Sequence, residues 1–211
     1  RYTDYAMIFS MLYSVMQWFG RALGPWVHTS VKWHEFLAHL ADASQNDQRT
    51  IKHYWHILHY HPTTVSALLG VAQIFIRCEQ PADALPYLRR AASRHPNQVD
   101  ILFGLGNCYL ECNNIPSAIA AYRALLEVDR RHTRALFNLG HCYKRLGHWS
   151  ESAEQFKQAL MLDPSFYKAR FMFAHCLSRQ GEIEHAIREY RGTIDQSPNY
   201  AKAYFNLGNC Y

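Results

Sequence analysis

The stretch ALFNLGHCY at residues 135–143 recurs along the chain at a spacing of 34 residues. Related stretches begin at Ile101 and Ala169, and AYFNLGNCY ends the sequence at residues 203–211. A constant spacing of this length indicates stacked copies of one supersecondary unit. The same register divides the chain into repeats at residues 31–64, 65–98, 99–132, 133–166 and 167–200, with a partial repeat at residues 201–211.

Each repeat carries small and large residues at fixed positions, counted from its first residue. Positions 8 and 20 hold small residues such as Gly140 and Ser152, and position 24 holds a ring or a leucine, such as Phe156. Proline stands at position 32 in four of the five complete copies, and Arg130 replaces it in the other. Thr50 replaces the small residue at position 20 of the first copy. Small residues allow two helices to approach closely, and the ring fills the gap that remains.

The apolar residues within each repeat follow helical periodicity. In residues 133–146 they recur at i, i+3, i+4 and i+7, namely at Leu136, Leu139, Gly140 and Tyr143. A second stripe runs through residues 150–162, at Ala153, Phe156, Ala159 and Leu160. The pair Gly147-His148 separates the two segments. Asp163-Pro164 ends the second segment, because proline lacks an N–H group and disfavours helix in the residue before it. Each repeat is therefore predicted to be a helix hairpin, helix A followed by helix B.

This pattern resembles the tetratricopeptide repeat family over residues 31–211. The family pattern has Leu-Gly near positions 7 and 8, Tyr at 11, Ala at 20, an aromatic at 24, Ala at 27 and Pro at 32. The resemblance implies an all-α fold, a right-handed α-solenoid of stacked helix hairpins. A single hairpin cannot bury its apolar face alone, which agrees with stacking.

Residues 1–30 fall outside the repeat register. From Tyr5 to Gly20 they carry no charge, but this stretch is shorter than the roughly 20 residues that a membrane-spanning helix needs. Its polar residues lie on one stripe, so it is predicted to be an amphipathic helix that precedes the array. Three roles remain open: a cap on the first repeat, a helix that contacts a membrane surface or a partner through residues 5–23, and part of a membrane span.

Cysteine spacing predicts free thiols rather than disulfides. Four of the six cysteines share position 10 and the other two share position 14. Matching positions of stacked helices lie roughly 8–10 Å apart, beyond the ~7 Å that a disulfide can bridge. We therefore expect an intracellular, reducing compartment, with the cytoplasm foremost and peripheral membrane association as an alternative.

Neither a metal site nor a catalytic motif emerges from the sequence. His53, His56, His59 and His61 include i, i+3 pairs that could hold zinc, but no cysteine or carboxylate joins them at ligand spacing. A solvated or locally packed histidine face is the favoured interpretation, and no cofactor is assigned. Nucleophile-elbow, P-loop, HExxH and dinucleotide-binding motifs are absent, so the chain is predicted not to be an enzyme.

The resemblance implies that positions 2, 5, 9, 12 and 13 of each helix A line a concave groove. The last three A helices contain seven basic residues and no acid, whereas the B helices mix both signs. These five positions form one helical stripe opposite the packing stripe, so the row of phenylalanines at position 5 is expected to lie free of the core. The predicted partner-binding residues are Phe103, Phe137, Phe171, Phe205, Asn107, His141, His175, Asn209, Arg134, Lys144, Arg145, Lys168, Arg179 and Lys202.

The leading functional prediction is a protein-interaction scaffold that binds an extended or helical, acidic and apolar partner segment in this groove. A chaperone-tail clamp is not indicated, because its lysine at position 5 is replaced by Phe or Leu in the later copies. One alternative is a non-catalytic region of a larger enzyme or membrane-associated assembly, since the sequence opens on Arg1 and stops within a repeat. Self-association through that open last helix is a related expectation. Single-stranded nucleic acid is a minor alternative, disfavoured by a net charge of only +5.

Overall fold

The computed structural model describes residues 31–43 and 46–211, and this part of the chain is entirely helical. It contains eleven α-helices and no strand within those residues, which confirms the all-α repeat fold. The amphipathic helix predicted within residues 1–30 lies outside the described residues.

The chain divides into two compact units, Arg1–Pro96 and Asn97–Tyr211. In the first unit, two hairpins are described. Their helices are α1 (Val31–Ala43), α2 (Asp47–Tyr60), α3 (Val65–Arg77) and α4 (Pro81–Ala92).

The second unit holds three complete hairpins and one further helix. Its helices are α5 (Val99–Glu111), α6 (Ile115–Val128), α7 (Thr133–Arg145), α8 (Trp149–Leu162), α9 (Tyr167–Arg179), α10 (Ile183–Gln196) and α11 (Ala201–Gly208). Odd-numbered helices are the A helices and even-numbered helices are the B helices. Every A helix begins at the first residue of a predicted repeat.

The turn between helices A and B has the same backbone conformation in four repeats. Position 15 adopts a positive φ each time, at Glu79 (58°), Asn113 (58°), Gly147 (77°) and Gly181 (86°). A left-handed residue just after a helix satisfies its last carbonyl groups and redirects the chain. Glycine adopts this conformation without the steric cost that a side chain brings. The break predicted at Gly147 is therefore confirmed.

Position 8 and position 24 meet in the core of two hairpins of the second unit, as their sizes predicted. A Cβ atom added at Gly106 would lie 2.5 Å from the ring of Tyr122, and one at Gly140 would lie 2.8 Å from the ring of Phe156. Both rings are fully buried. No larger residue fits at position 8 of these repeats unless the ring moves. Ser152 at position 20 is also fully buried and donates a hydrogen bond to the carbonyl oxygen of Gly140, at 2.8 Å.

The six cysteines are free thiols, as the spacing predicted. Three of those at position 10 are buried in successive A helices of the second unit: Cys108, Cys142 and Cys176. Burial raises the pKa of the Cys108 thiol to about 12 and that of Cys142 to about 11. These thiols are therefore protonated at neutral pH, whereas Cys78 and Cys112 are exposed.

Candidate protein-interaction surface

The phenylalanines at position 5 pack mainly within the repeats. The ring centroid of Phe137 lies 5.6 Å from that of Phe156 in the same hairpin and 4.8 Å from that of Phe166. Phe103 is also half-buried, with His132 at 5.0 Å. The expectation that position 5 stands free of the core is thus wrong for these two residues, which expose only part of their rings.

Phe171 departs furthest from the expected row of exposed rings. It is only 4% exposed, because the rings of Tyr190 and Tyr200 cover it at centroid distances of 5.7 and 5.1 Å. It therefore presents almost no surface to a partner. Phe205, in α11, is 71% exposed.

Phe103, Phe137 and Phe171 are each covered in part by a residue at position 34, directly before the next A helix. The covering residues are His132, Phe166 and Tyr200. The signal was present in the sequence, because position 34 is aromatic in three successive copies while the first two copies carry Thr64 and Gln98. Aromatic residues at both positions 5 and 34 of one repeat therefore predict that helix A packs against the end of that repeat.

The asparagine predicted as a binding residue in α5 takes part in an internal hydrogen-bond network. Asn107 accepts hydrogen bonds from the Tyr122 hydroxyl at 2.6 Å and from Nδ2 of Asn138 at 2.9 Å. Its side-chain oxygen is thus satisfied by the protein itself. The equivalent Asn209 is exposed near the end of the chain.

Two histidines at position 9 lie half-buried among cations. His141 packs against Phe137 and Phe156, and its pKa is lowered to about 4 by burial and then by Lys144 and Arg145. The pKa of His175 is also lowered, chiefly by burial and then by Lys144 and Arg179. Both imidazoles are therefore neutral at pH 7. Nδ1 of His175 is buried and has no hydrogen-bond partner among the residues that the structure describes.

Six cations lie on the A helices of the second unit, and we refer to them together as the basic A face. They are Arg134, Lys144, Arg145, Lys168, Arg179 and Lys202. None of them forms a salt bridge with any carboxylate in the described part of the chain. The seventh basic residue of these helices, Arg170, differs, because it pairs with Glu189 of α10 at 2.8 Å and is not available to a partner.

Several of these cations lie over aromatic rings. The guanidinium carbon of Arg134 lies 5.1 Å from the ring centroid of Phe103, and that of Arg179 lies 5.0 Å from the ring centroid of Trp149. Cation–π contacts of this kind hold a charge in place without neutralising it. Arg145 donates to the Leu110 carbonyl oxygen at 3.2 Å, an uncharged acceptor. The positive charges of the basic A face are therefore positioned but not compensated.

The predicted residues line neither of two open grooves in the second unit. One groove of about 750 Å³ is lined by residues of α6 to α10, with Glu154, Phe173 and Arg188 among them. Another, of about 490 Å³, is lined by residues such as Arg123 and Leu136. Both are bordered by the mixed charges of the B helices. The basic A face consists of other residues.

The histidines considered as zinc ligands lie in the first unit. His53 is buried with its Nδ1 atom 3.1 Å from Nδ1 of His34, and burial, His34 and His56 together lower its pKa to about 4. Across residues 31–43 and 46–211, no group of three or more His, Cys, Asp or Glu side chains has the arrangement that would hold a metal ion. In the same part of the chain, no helix has both the length and the apolar character to cross a bilayer.

Comparison with known proteins agrees with this architecture. One family model for tetratricopeptide repeats matches residues 75–136 and a second matches residues 133–166. No curated protein sequence matches the chain. The fold and the repeated helix contacts define an α-solenoid repeat protein. Residues 75–166 match the tetratricopeptide repeat family.

Solved structures share this fold at low sequence identity. A structure of MamA is 17% identical and aligns over 82% of this chain and 94% of its own, with a TM-score of 0.76. YrrB, a tetratricopeptide repeat protein with an unusual peptide-binding site, is 18% identical over 84% of this chain and 92% of its own, with a TM-score of 0.77. A tetratricopeptide repeat protein from Parabacteroides merdae is 18% identical, covering 86% of this chain and 72% of its own at a TM-score of 0.77. At these identities the likeness concerns the fold alone.

Proposed function

We propose that the chain is a protein-interaction scaffold whose basic A face binds an acidic partner segment that also carries apolar groups. The observation that supports this most directly is the absence of carboxylate partners for all six cations within the described residues. By contrast, Arg170 of α9 does have an acidic partner, because it pairs with Glu189 of α10. Charges that a protein leaves uncompensated on one surface attract and orient a partner of opposite sign.

Fewer phenylalanines can contact a partner than the sequence predicts. Phe171 is covered, so we leave it out of the proposed surface. The half-buried rings of Phe103 and Phe137 and the exposed ring of Phe205 are the apolar groups that a partner can reach. Because the first two are already packed, we expect the electrostatic contribution to dominate the encounter.

The proposal assigns binding and no chemical step to the chain. It places that binding in a reducing compartment, because all six cysteines are unpaired thiols. The peptide-binding site of YrrB is consistent with a peptide ligand for this fold but does not identify the partner.

Synthetic peptides test the proposal without a known partner. Fluorescent peptides of alternating Glu and Leu, and of alternating Lys and Leu, are titrated with the full chain and followed by anisotropy. We expect the acidic peptide to bind and the basic one not to bind. Reversing three cations of the basic A face should weaken acidic-peptide binding by about tenfold or more, because each exposed pair contributes about 0.2–1 kcal/mol and reversal adds repulsion. The reversed residues are Arg134→Glu, Lys168→Glu and Arg179→Glu.

The matched control reverses three exposed cations on the B helices, Lys157→Glu, Arg188→Glu and Arg191→Glu, which changes the net charge by the same amount. Equal loss of binding in both triple variants would show a nonspecific charge effect and contradict the proposal. A single-stranded oligonucleotide serves as the competing ligand. Tight oligonucleotide binding that collapses as salt rises, with no binding of the acidic peptide, would replace a protein partner with nucleic acid.

A further inference from the structure

Lys144 occupies an unusual environment within the basic A face. It lies in the last turn of α7, is half-buried, and places its Nζ atom 3.6 Å from the Sδ atom of Met172 in α9. A thioether sulfur is only a weak hydrogen-bond acceptor and carries no negative charge. The ammonium group therefore has no strong acceptor at this contact.

The charged groups around Lys144 make its environment more positive. Burial is the largest cause that lowers the pKa of Lys144, and the neighbouring cations Arg145 and Lys202 lower it further, while the Cys176 thiol acts in the opposite direction. No aspartate or glutamate of the described residues is among the groups that act on it. Removing a cation from water without an opposite charge is unfavourable, and the neighbouring cations add to that cost.

His175 completes the cluster from α9. Its Nδ1 atom is buried without a hydrogen-bond partner among the described residues, and Lys144 and Arg179 both act on its pKa. A buried polar atom that the protein leaves unsatisfied needs an explanation, and a bound ion is one that would satisfy it. Lys144, His175 and Lys202 come from α7, α9 and α11, and Lys144 interacts electrostatically with both of the others.

We propose that Lys144 is the centre of an oxyanion subsite, in which its ammonium group, supported by Lys202 and His175, binds one carboxylate or phosphate group of the partner segment. The inference rests on the proposed function and deepens it, because it selects one point on the basic A face as the place where an anionic group is held. The other cations of this face are less suited to that role. Arg134 and Arg179 lie over aromatic rings, Arg145 donates to a carbonyl oxygen, and Lys168 is exposed.

The test compares three peptides that differ at a single central residue. Each has alternating Glu and Leu on both sides, and the centre is serine, glutamate or phosphoserine. We expect the wild-type chain to bind at least one of the two anionic forms about tenfold more tightly than the serine form, a difference of about 1.4 kcal/mol. A preference for glutamate identifies a carboxylate as the ligand, and a preference for phosphoserine identifies a phosphate.

Lys144→Met removes the charge and keeps an unbranched side chain that suits a half-buried site. We expect this variant to lose the preference among the three peptides and to unfold thermally at the same temperature as wild type or higher, because an uncompensated, half-buried charge is removed. Lys157→Met, an exposed lysine of α8, is the control and should keep the preference. Lys144→Gln repeats the test in case the methionine variant folds poorly.

A measurement on the unmodified chain gives an independent readout. Binding of the preferred peptide should raise the pKa of His175, followed by NMR, because an anion beside it offsets the effect of Lys144 and Arg179. The subsite is wrong if the preference among the peptides survives in Lys144→Met, or if the pKa of His175 does not change on binding. The scaffold function is still supported in that case if reversal of the three cations weakens peptide binding. If wild type binds none of the three peptides, both the subsite and the proposed function are wrong.

Discussion

Lowering the pH from 7.5 to 5 should destabilise the second unit through His141. This histidine is half-buried, and its pKa in the folded chain is lowered to about 4 by burial, Lys144 and Arg145. In the unfolded chain its pKa returns to about 6.5. Between these two values the unfolded state binds a proton that the folded state does not, so stability falls as the pH drops through this window.

The size of the effect follows from the distance between pH 5 and the unfolded-state pKa. That distance is about 1.5 pH units, and each unit corresponds to about 1.4 kcal/mol, which gives an upper value of about 2 kcal/mol at pH 5. Solvent screening at a site that is only half-buried reduces this to between about 1 and 2 kcal/mol.

His141→Asn isolates this contribution, because Asn107 and Asn209 occupy the same position in other repeats. The free energy of unfolding is measured by urea denaturation at pH 7.5 and at pH 5 for both proteins. His53 in the first unit also has a pKa lowered to about 4, but it is present in both proteins and cancels in the comparison. Wild type should lose between about 1 and 2 kcal/mol more than the variant. An equal loss in both proteins would refute the assignment of this pH dependence to His141.

Two further predictions concern the core and the proposed subsite. Gly140→Ala should destabilise the chain by about 1–3 kcal/mol, because the new Cβ would lie 2.8 Å from the buried ring of Phe156. Gly208→Ala is the control, since no heavy atom lies within 4 Å of its added Cβ. Equal thermal stability of the two variants would contradict the packing argument. Binding of the preferred anionic peptide should tighten as the pH falls from 7.5 to 6, because a bound anion raises the pKa of His175 and favours its protonated form. Calorimetry should then detect proton uptake on binding. An affinity that does not change with pH, without proton uptake, would contradict a contact between His175 and the anion.

The helix hairpins could be predicted because their determinants are local and repeated. The fit of Gly140 against Phe156 requires only two residues of one repeat, and the 34-residue register places both. The turn at Gly147 follows from backbone freedom at a single position. Such features recur in each copy, so one repeat predicts the others.

The binding residues were less predictable than the helices. Whether a side chain is exposed depends on its contacts with neighbouring helices, and the repeat pattern does not determine those contacts. Phe171 shares its position with Phe205, yet Tyr190 and Tyr200 cover the first, while the second is 71% exposed. Likewise, Arg170 belongs to an acid-free helix but pairs with Glu189 on the next one. Counting charges within a helix cannot detect such a pair, because the partner comes from another element.

The buried thiols of the second unit give each of its three complete repeats a separate chemical reporter. Cys108, Cys142 and Cys176 lie one per A helix, and the raised pKa of each disfavours the thiolate, the form that reacts with alkylating reagents. Exposed Cys78 and Cys112 should react at once, whereas a buried thiol reacts only when its repeat opens. Pulsed alkylation with mass spectrometry can therefore measure the opening of each repeat without any introduced cysteine, and show whether a bound partner holds some repeats closed more than others.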